Sequence, residues 1–203
     1  VDYQNQLVYS EVRGRQNVVI DGDSDLTDAD DDGVVNMDAA GTRADPFIIE
    51  GLSISVDNGS GIYIRNTAKY IMIKDCRIYG SGVSRLTEGI VLYNVTGVVI
   101  DNVSVTGCSY GILVQNSSWV NIYRSSVYEN MESGIVISGS EDCRIGGCEV
   151  YGHNGHGIYL EESNETEVVN SRVYMNDVGI KVDGDFNRID GNEIFNNSGK
   201  GVY

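Results

Sequence analysis

The sequence has a single proline and only 14 lysines and arginines against 30 aspartates and glutamates, a formal net charge of −16. So negative a chain is repelled by nucleic acid and by anionic membrane surfaces, which excludes both as partners. It suits cations, a salty surrounding or plain solubility. No run approaches the roughly 18 uncharged apolar residues of a membrane span, so no membrane insertion is expected from this segment. The four cysteines, Cys76, Cys108, Cys143 and Cys148, are too few and too irregular for a disulfide framework. Two histidines and four scattered methionines (Met37, Met72, Met131, Met175) form no soft-metal motif. Helical patterning is missing too, because the apolar triplets are short and punctuated by glycine.

What the chain does have is glycine (25), tyrosine (13) and a normal hydrophobic share of 41%, all within 203 residues. This suits one folded domain, residues 1–203. A glycine followed by an apolar-x-apolar triplet recurs at Gly61, Gly89, Gly111, Gly134, Gly157, Gly179 and Gly201, at steps of 28, 22, 23, 23, 22 and 22 residues. Two more period-two runs follow in each repeat, such as Val120/Ile122 and then Ser125/Val127, with a constant five-residue offset between them. Period two means strands, and the constant offset means a fixed corner. The expected fold is all-β, a right-handed single-stranded parallel β-helix with three short strands in a coil of about 22 residues. Like strands would pair about 4.8 Å apart. Regular coils span 61–203. Val18–Gly22, Phe47–Ile49 and Leu52–Ile54 read as strands of an earlier coil, interrupted by an acidic insertion at 23–45. The start at Val1 suggests a mature or excised fragment, and Gly201-Val202-Tyr203 reads as a repeat cut off in mid-strand.

Asn130, Asn176 and Asn197 each stand three residues after the last apolar position of the third strand, with Cys108 and His153 in the same place in their coils. This pattern reads as an asparagine ladder at one corner, structural in role.

The run Asp45-Pro46-Phe47-Ile48-Ile49-Glu50-Gly51-Leu52, with Gly61-Ile62-Tyr63-Ile64-Arg65-Asn66-Thr67 and Tyr70-Ile71-Met72-Ile73-Lys74-Asp75-Cys76, resembles NosD-like proteins. The likeness covers about residues 15–203. It implies a parallel β-helix repeat protein of archaeal or bacterial envelopes, in a carbohydrate-binding and sugar-hydrolysis class that includes surface and S-layer-associated proteins. The copper delivery for which the family is named finds no support in these residues.

Asp28-Ala29-Asp30-Asp31-Asp32-Gly33-Val34-Val35-Asn36-Met37-Asp38 resembles the calcium loop of EF-hand and dockerin-type sequences. Asp28, Asp30 and Asp32 fall at the oxygen-ligand positions, Gly33 at the sharp turn, the Val34 carbonyl next, and Asn36 at the ninth position. The closing carboxylate departs from the pattern: Ala39 holds the twelfth position, and Asp38 is the nearest substitute. Calcium is therefore the expected cofactor. Tyr79, Tyr128, Tyr151, Tyr174 and Phe195 each follow the last apolar residue of a third strand, with Thr106 interrupting them. They form an outward aromatic column that either shields the sheet or stacks on sugar rings.

Gly155-His156-Gly157 occurs in polygalacturonase-type hydrolases, but their companion aspartates are absent here. Glu161, Glu162, Glu165 and Glu167 gather near one corner, with Lys181 and Arg172 as the nearby bases, and nothing in the spacing fixes an acid–base pair. No catalytic residue is assigned. Cys143 and Cys148 flank one corner, close enough to bridge. Asn58, Asn94, Asn102, Asn116, Asn164 and Asn196 are sequons for N-glycosylation of an extracellular protein, though corners favour the same residues.

The expectation is a non-catalytic, calcium-stabilised module at the cell surface, structural or glycan-binding, with polysaccharides or other envelope proteins as partners. A polysaccharide lyase or hydrolase, and a self-associating S-layer component, are the alternatives.

Overall fold

The computed structural model describes residues 14–15, 17–27, 33–82 and 87–203. It has three parallel sheets and no helix among the described residues. The glycine face contains Val18–Asp21, Gly59–Thr67, Thr87–Val95, Tyr110–Gln115, Ser133–Ser138, His156–Glu161 and Val178–Val182. The second face contains Phe47–Glu50, Ile71–Lys74, Val98–Asp101, Asn121–Tyr123, Arg144–Gly146, Glu167–Val169 and Arg188–Asp190. The third contains Gly14–Arg15, Ser53–Val56, Arg77–Gly80, Ser104–Thr106, Ser126–Tyr128, Glu149–Tyr151, Arg172–Tyr174 and Glu193–Phe195. Every strand pairs in parallel with its counterparts in the adjoining coils. The chain is a right-handed parallel β-helix.

Pairing is in register, so inward residues stack on their own kind. Ile62, Ile90, Ile112, Ile135, Ile158 and Ile180 form one column, all fully buried. Burying each such side chain contributes roughly 1.5–3 kcal/mol. The leading glycine has a separate cause. A Cβ on Gly111 would stand 2.6 Å from the carbonyl oxygen of Gly134, and one on Gly134 equally close to that of Gly157. The glycine permits close approach between coils at that point, which explains why it recurs as strictly as the apolar triplet behind it.

Corners break the sheets and leave backbone donors buried, and each corner answers with a ladder of side chains. Between the third and glycine faces, the Cys108 N–H donates to Asn130 Oδ1 (3.0 Å) and the Asn130 N–H to His153 Nδ1 (3.1 Å). The His153 N–H then donates to Asn176 Oδ1 (3.1 Å), and the Asn176 N–H to Asn197 Oδ1 (3.0 Å). The asparagine ladder expected from the spacing is present, with His153 as a working rung. Two further ladders were not anticipated. Ser117, Ser140 and Ser163 accept the N–H of the residue one coil earlier at 3.0–3.2 Å. Ser125, Ser171 and Asn192 do the same between the second and third faces.

Val18–Asp21 and Phe47–Glu50 lie in one coil, and the acidic insertion replaces the corner between them. Its described part folds back on the second face through an antiparallel bridge of Val34 to Ile49. Cys143 and Cys148 are both free and buried, as are Cys76 and Cys108. Burial pushes all four thiols up to about 11, so they act as apolar fillers.

Candidate functional site

A groove of about 620 Å³ lies along the outer surface of the second face. Its floor is the outward column Met72, Val99, Asn121, Arg144, Glu167 and Arg188, one residue from each coil. One wall is the corner ridge Tyr70, Gly97, Trp119, Asp142, Glu165 and Phe186, and Arg43 and Pro46 of the insertion add to the lining.

The ridge carries an unusual pair. From Gly97 to Phe186 its residues take left-handed backbone, a conformation that suits glycine, asparagine or aspartate. Trp119 (φ 58°) and Phe186 (φ 58°) take it too, which costs a bulky residue on the order of 1–2 kcal/mol. Packing does not repay that cost, because Trp119 is 54% exposed and Phe186 85% exposed. They stand three coils apart on one ridge, about 14 Å by strand spacing. Tyr123 projects from the floor. Its hydroxyl donates to Asn121 Oδ1 (2.9 Å), and Asn121 Nδ2 donates to the Trp119 carbonyl (3.3 Å). The Tyr70 ring covers Gly97, where a Cβ would meet it at 3.1 Å. Exposed rings beside amide and hydroxyl groups can hold the apolar faces and hydroxyls of a sugar chain.

The charged part of the floor is internally paired. Glu167 takes Arg144 on one oxygen and Arg188 Nη1 on the other (3.2 Å). Beside the groove, Arg124 pairs with Asp101. Of the acids of its run, only Glu165, on the ridge, shares the groove with Glu167. Glu161 faces outward on the glycine face, while Glu162 and Glu165 stand on two separate left-handed ridges. The carboxylate cluster suggested by the sequence is not one site.

The aromatic column on the third face is stacked within itself. Centroids are 5.2 Å apart for Tyr128 and Tyr151, 4.8 Å for Tyr151 and Tyr174, and 4.8 Å for Tyr174 and Phe195, all within 9° of parallel. Arg172 spans Glu149 and Glu193 and lies near the Tyr174 and Phe195 rings. Between Tyr128 and Phe195 the ring faces are taken up by one another, and a sugar could reach only edges. Tyr79 stands apart behind Thr106.

His156 and Lys181 come together on the glycine face, through Tyr159. The His156 ring lies 4.9 Å from that of Tyr159, and Lys181 Nζ lies 3.1 Å from the Tyr159 hydroxyl. Burial, helped by the Lys181 charge, pushes the His156 imidazole below its ordinary range, so it is neutral near pH 7. Among the described residues no carboxylate hydrogen-bonds to its ring; the Asp177 charge acts on it through space, in the opposite sense to Lys181.

Asp28, Asp30 and Asp32 lie outside the described residues. Of the rest of that loop, Val34 is buried and Asp38 exposed. Asn36 is committed elsewhere: its Nδ2 donates to the Pro46 carbonyl (2.9 Å) and its Oδ1 accepts the Ile48 N–H (2.6 Å). The sequon residues Asn58, Asn94, Asn102, Asn116, Asn164 and Asn196 are all exposed. Asn94, Asn102, Asn116 and Asn196 hold left-handed corners, a structural reason for asparagine there.

A family model described as right handed beta helix region matches residues 110–203. No curated protein matches the sequence. Among solved structures the chain is similar to a variant of the periplasmic alginate epimerase AlgG (TM-score 0.66, 23% identity, 74% of this chain and 36% of that one). It is similar to AlgG itself (0.56, 19%, 70% and 43%). It is also similar to an alginate lyase from Paenibacillus sp. str. FPU-7 (0.52, 15%, 87% and 75%). The chain spans less than half of either epimerase structure, and at these identities the likeness is one of fold.

Proposed function

We propose that this protein is a non-catalytic, polysaccharide-binding β-helix module that works outside the cytoplasm and binds through the groove on its second face. One observation carries the reading: Trp119 and Phe186 hold strained left-handed backbone while leaving their rings open along a single groove. A residue kept there for stability alone would be glycine, asparagine or aspartate, as Gly97 and Asp142 are on this ridge. The other ridges also carry Arg124, Glu129, Glu162 and Met175, so what sets Trp119 and Phe186 apart is two large rings lining one groove. Strain of this kind, left unrepaid by packing, points to a ligand. That other proteins of this fold include an epimerase and a lyase of alginate supports the reading.

The test pairs binding with melting. Trp119→Asn and Phe186→Asn are expected to abolish retention on polysaccharide-containing gels. Their melting temperatures should stay level or rise, because asparagine relieves up to about 1–2 kcal/mol of backbone strain. A lowered melting temperature with retention unchanged would make both rings structural and sink the reading. The same gels are scored for chain cleavage. Cleavage that disappears in His156→Ala would replace the non-catalytic reading with an enzymatic one centred on His156, Tyr159 and Lys181.

Calcium stabilisation belongs to the proposal, with Asp28, Asp30, Asp32, the Val34 carbonyl and Asp38 as the ligand set. Asn36, whose carboxamide holds Pro46 and Ile48, would serve the loop's fold instead. Carboxylates this dense repel one another without a cation. Calcium is expected to raise the melting temperature relative to chelator, and superimposable melts in the two would remove it from the account.

A further inference from the structure

We propose that the polysaccharide held in this groove is uncharged, and that ion pairing inside the groove excludes polyuronates; the inference rests on the glycan-binding reading above. Six charged residues line the groove: Arg43, Arg144 and Arg188 against Asp142, Glu165 and Glu167. They cancel, in a chain whose net charge is −16. The excess acid lies elsewhere on the molecule, where it repels an approaching polyanion.

The floor's cations are already engaged. Arg144, Glu167 and Arg188 occupy one outward column in three successive coils. Glu167 joins both guanidiniums, and Arg188 also reaches Asp190 Oδ2 at 2.5 Å. A uronate carboxylate seeking either guanidinium would have to displace a protein carboxylate already positioned by the sheet. It would then sit against the like charges of Glu167 and Asp190, which disfavours it at these distances. Apart from Arg43 on the insertion, which is outnumbered by Asp142 and Glu165 on the ridge, what the groove offers an incoming chain is the open faces of Trp119 and Phe186 and the polar edge of Tyr123. These groups are uncharged. They match the apolar faces and hydroxyls common to neutral sugars and gain nothing from a ligand charge.

The test is affinity electrophoresis of the unmodified chain through gels containing β-glucan, xylan or mannan, and through gels containing alginate or polygalacturonate, at low and raised salt. At least one neutral polysaccharide is expected to retard the protein, with little dependence on salt, while neither polyuronate does. Glu167→Gln removes the carboxylate that joins both guanidiniums, freeing Arg144 from its ion pair and leaving Arg188 only its pair with Asp190. It is expected to gain affinity for polyuronate by about tenfold, a gain that raised salt removes. The ranking of polysaccharides by the unmodified chain needs no variant, so the inference stays testable if Glu167→Gln folds poorly. Retardation by alginate or polygalacturonate as strong as by any neutral polysaccharide would overturn the inference and leave glycan binding standing. No retardation in any gel, with Trp119→Asn and Phe186→Asn running like the unmodified chain, would overturn glycan binding itself.

Discussion

Gly111→Ala is expected to destabilise the protein by ~3 kcal/mol or more, the upper range for overpacking a tight interior. In a chain of this size that corresponds to a fall in melting temperature of roughly 6–12 °C, read by calorimetry. The added methyl would lie 2.6 Å from the Gly134 carbonyl oxygen and 2.9 Å from Asn130 Nδ2, and it would strike the Val127 side chain as well. Two of these are fixed by the structure: the backbone of the next coil and a rung of the asparagine ladder. Relief therefore means parting two coils, not turning a side chain. Each coil of a solenoid touches only its neighbours, so the loss falls on one interface and should broaden the melt. Gly147→Asn is the control. Gly147 holds φ 63° at an outer corner with nothing within 4 Å of an added Cβ. Asn102 and Asn170 hold the equivalent place at φ 53° and 50°, so this change should stay within about 0.5 kcal/mol. Equal effects at Gly111 and Gly147 would refute close approach as the reason for the glycine column.

The second large effect is a loss of stability in acid that is traceable to His153. Its Nδ1 accepts the Asn130 N–H, and its Nε2, 3.2 Å from the Val127 carbonyl, carries the ring proton. Burial pushes the imidazole down to about 4 from an ordinary 6.5, against the Asn130 and Val127 carbonyls, 3.4 and 3.2 Å from the ring nitrogens, which favour the charged form. Above 6.5 neither the folded nor the unfolded chain holds the extra proton, and the stability is complete. As pH falls from 6.5 to 4 the unfolded chain takes up the proton first, and about 3 kcal/mol is lost. Below 4 the folded chain binds it too, and the loss levels off. His153→Asn would continue the asparagine ladder with a rung that does not titrate. The difference in unfolding free energy between the two proteins, measured by urea denaturation from pH 8 to pH 4, should be flat at first and then shift by about 3 kcal/mol in favour of the variant. A difference that stays constant across this range would show that His153 does not titrate on unfolding.

The coil repeat was readable because a solenoid repeats its environment. Every inward position asks for the same residue type, so Ile62 through Ile180 and the glycines ahead of them recur, at steps of 22 or 23 residues after a first step of 28. The asparagine ladder was readable for the same reason, and the irregular Val18 and Phe47 strands were caught by their alternation. The serine ladders were missed because serine at a turn is ordinary; only the pairing of each hydroxyl with an N–H one coil away makes it a rung. The groove was missed as well. Trp119 and Phe186 each stand one residue before the second strand's first inward position, so an alignment of the coils would have placed both on one ridge. The periodic signal lies in the apolar columns, and an aromatic ring in a turn is incidental without the backbone angle that makes it costly.

The sequence by itself determined the architecture and the core. Period-two patterning at a constant coil length leaves no other way to bury those side chains, and the corner residues set where the chain turns. Only the tertiary structure decided which aromatic surface is open. Tyr128, Tyr151, Tyr174 and Phe195 are as conspicuous in the sequence as any residues in it, yet in-register pairing brings their faces together at about 5 Å and closes them. Trp119 and Phe186 are separated by coils that carry Asp142 and Glu165 on the same ridge, so neither ring finds a partner and both stay exposed. The same stacking that builds the core thus seals one aromatic column and leaves the other pair open. Sequence spacing cannot show that difference, because it follows from which side chains stand one strand spacing apart.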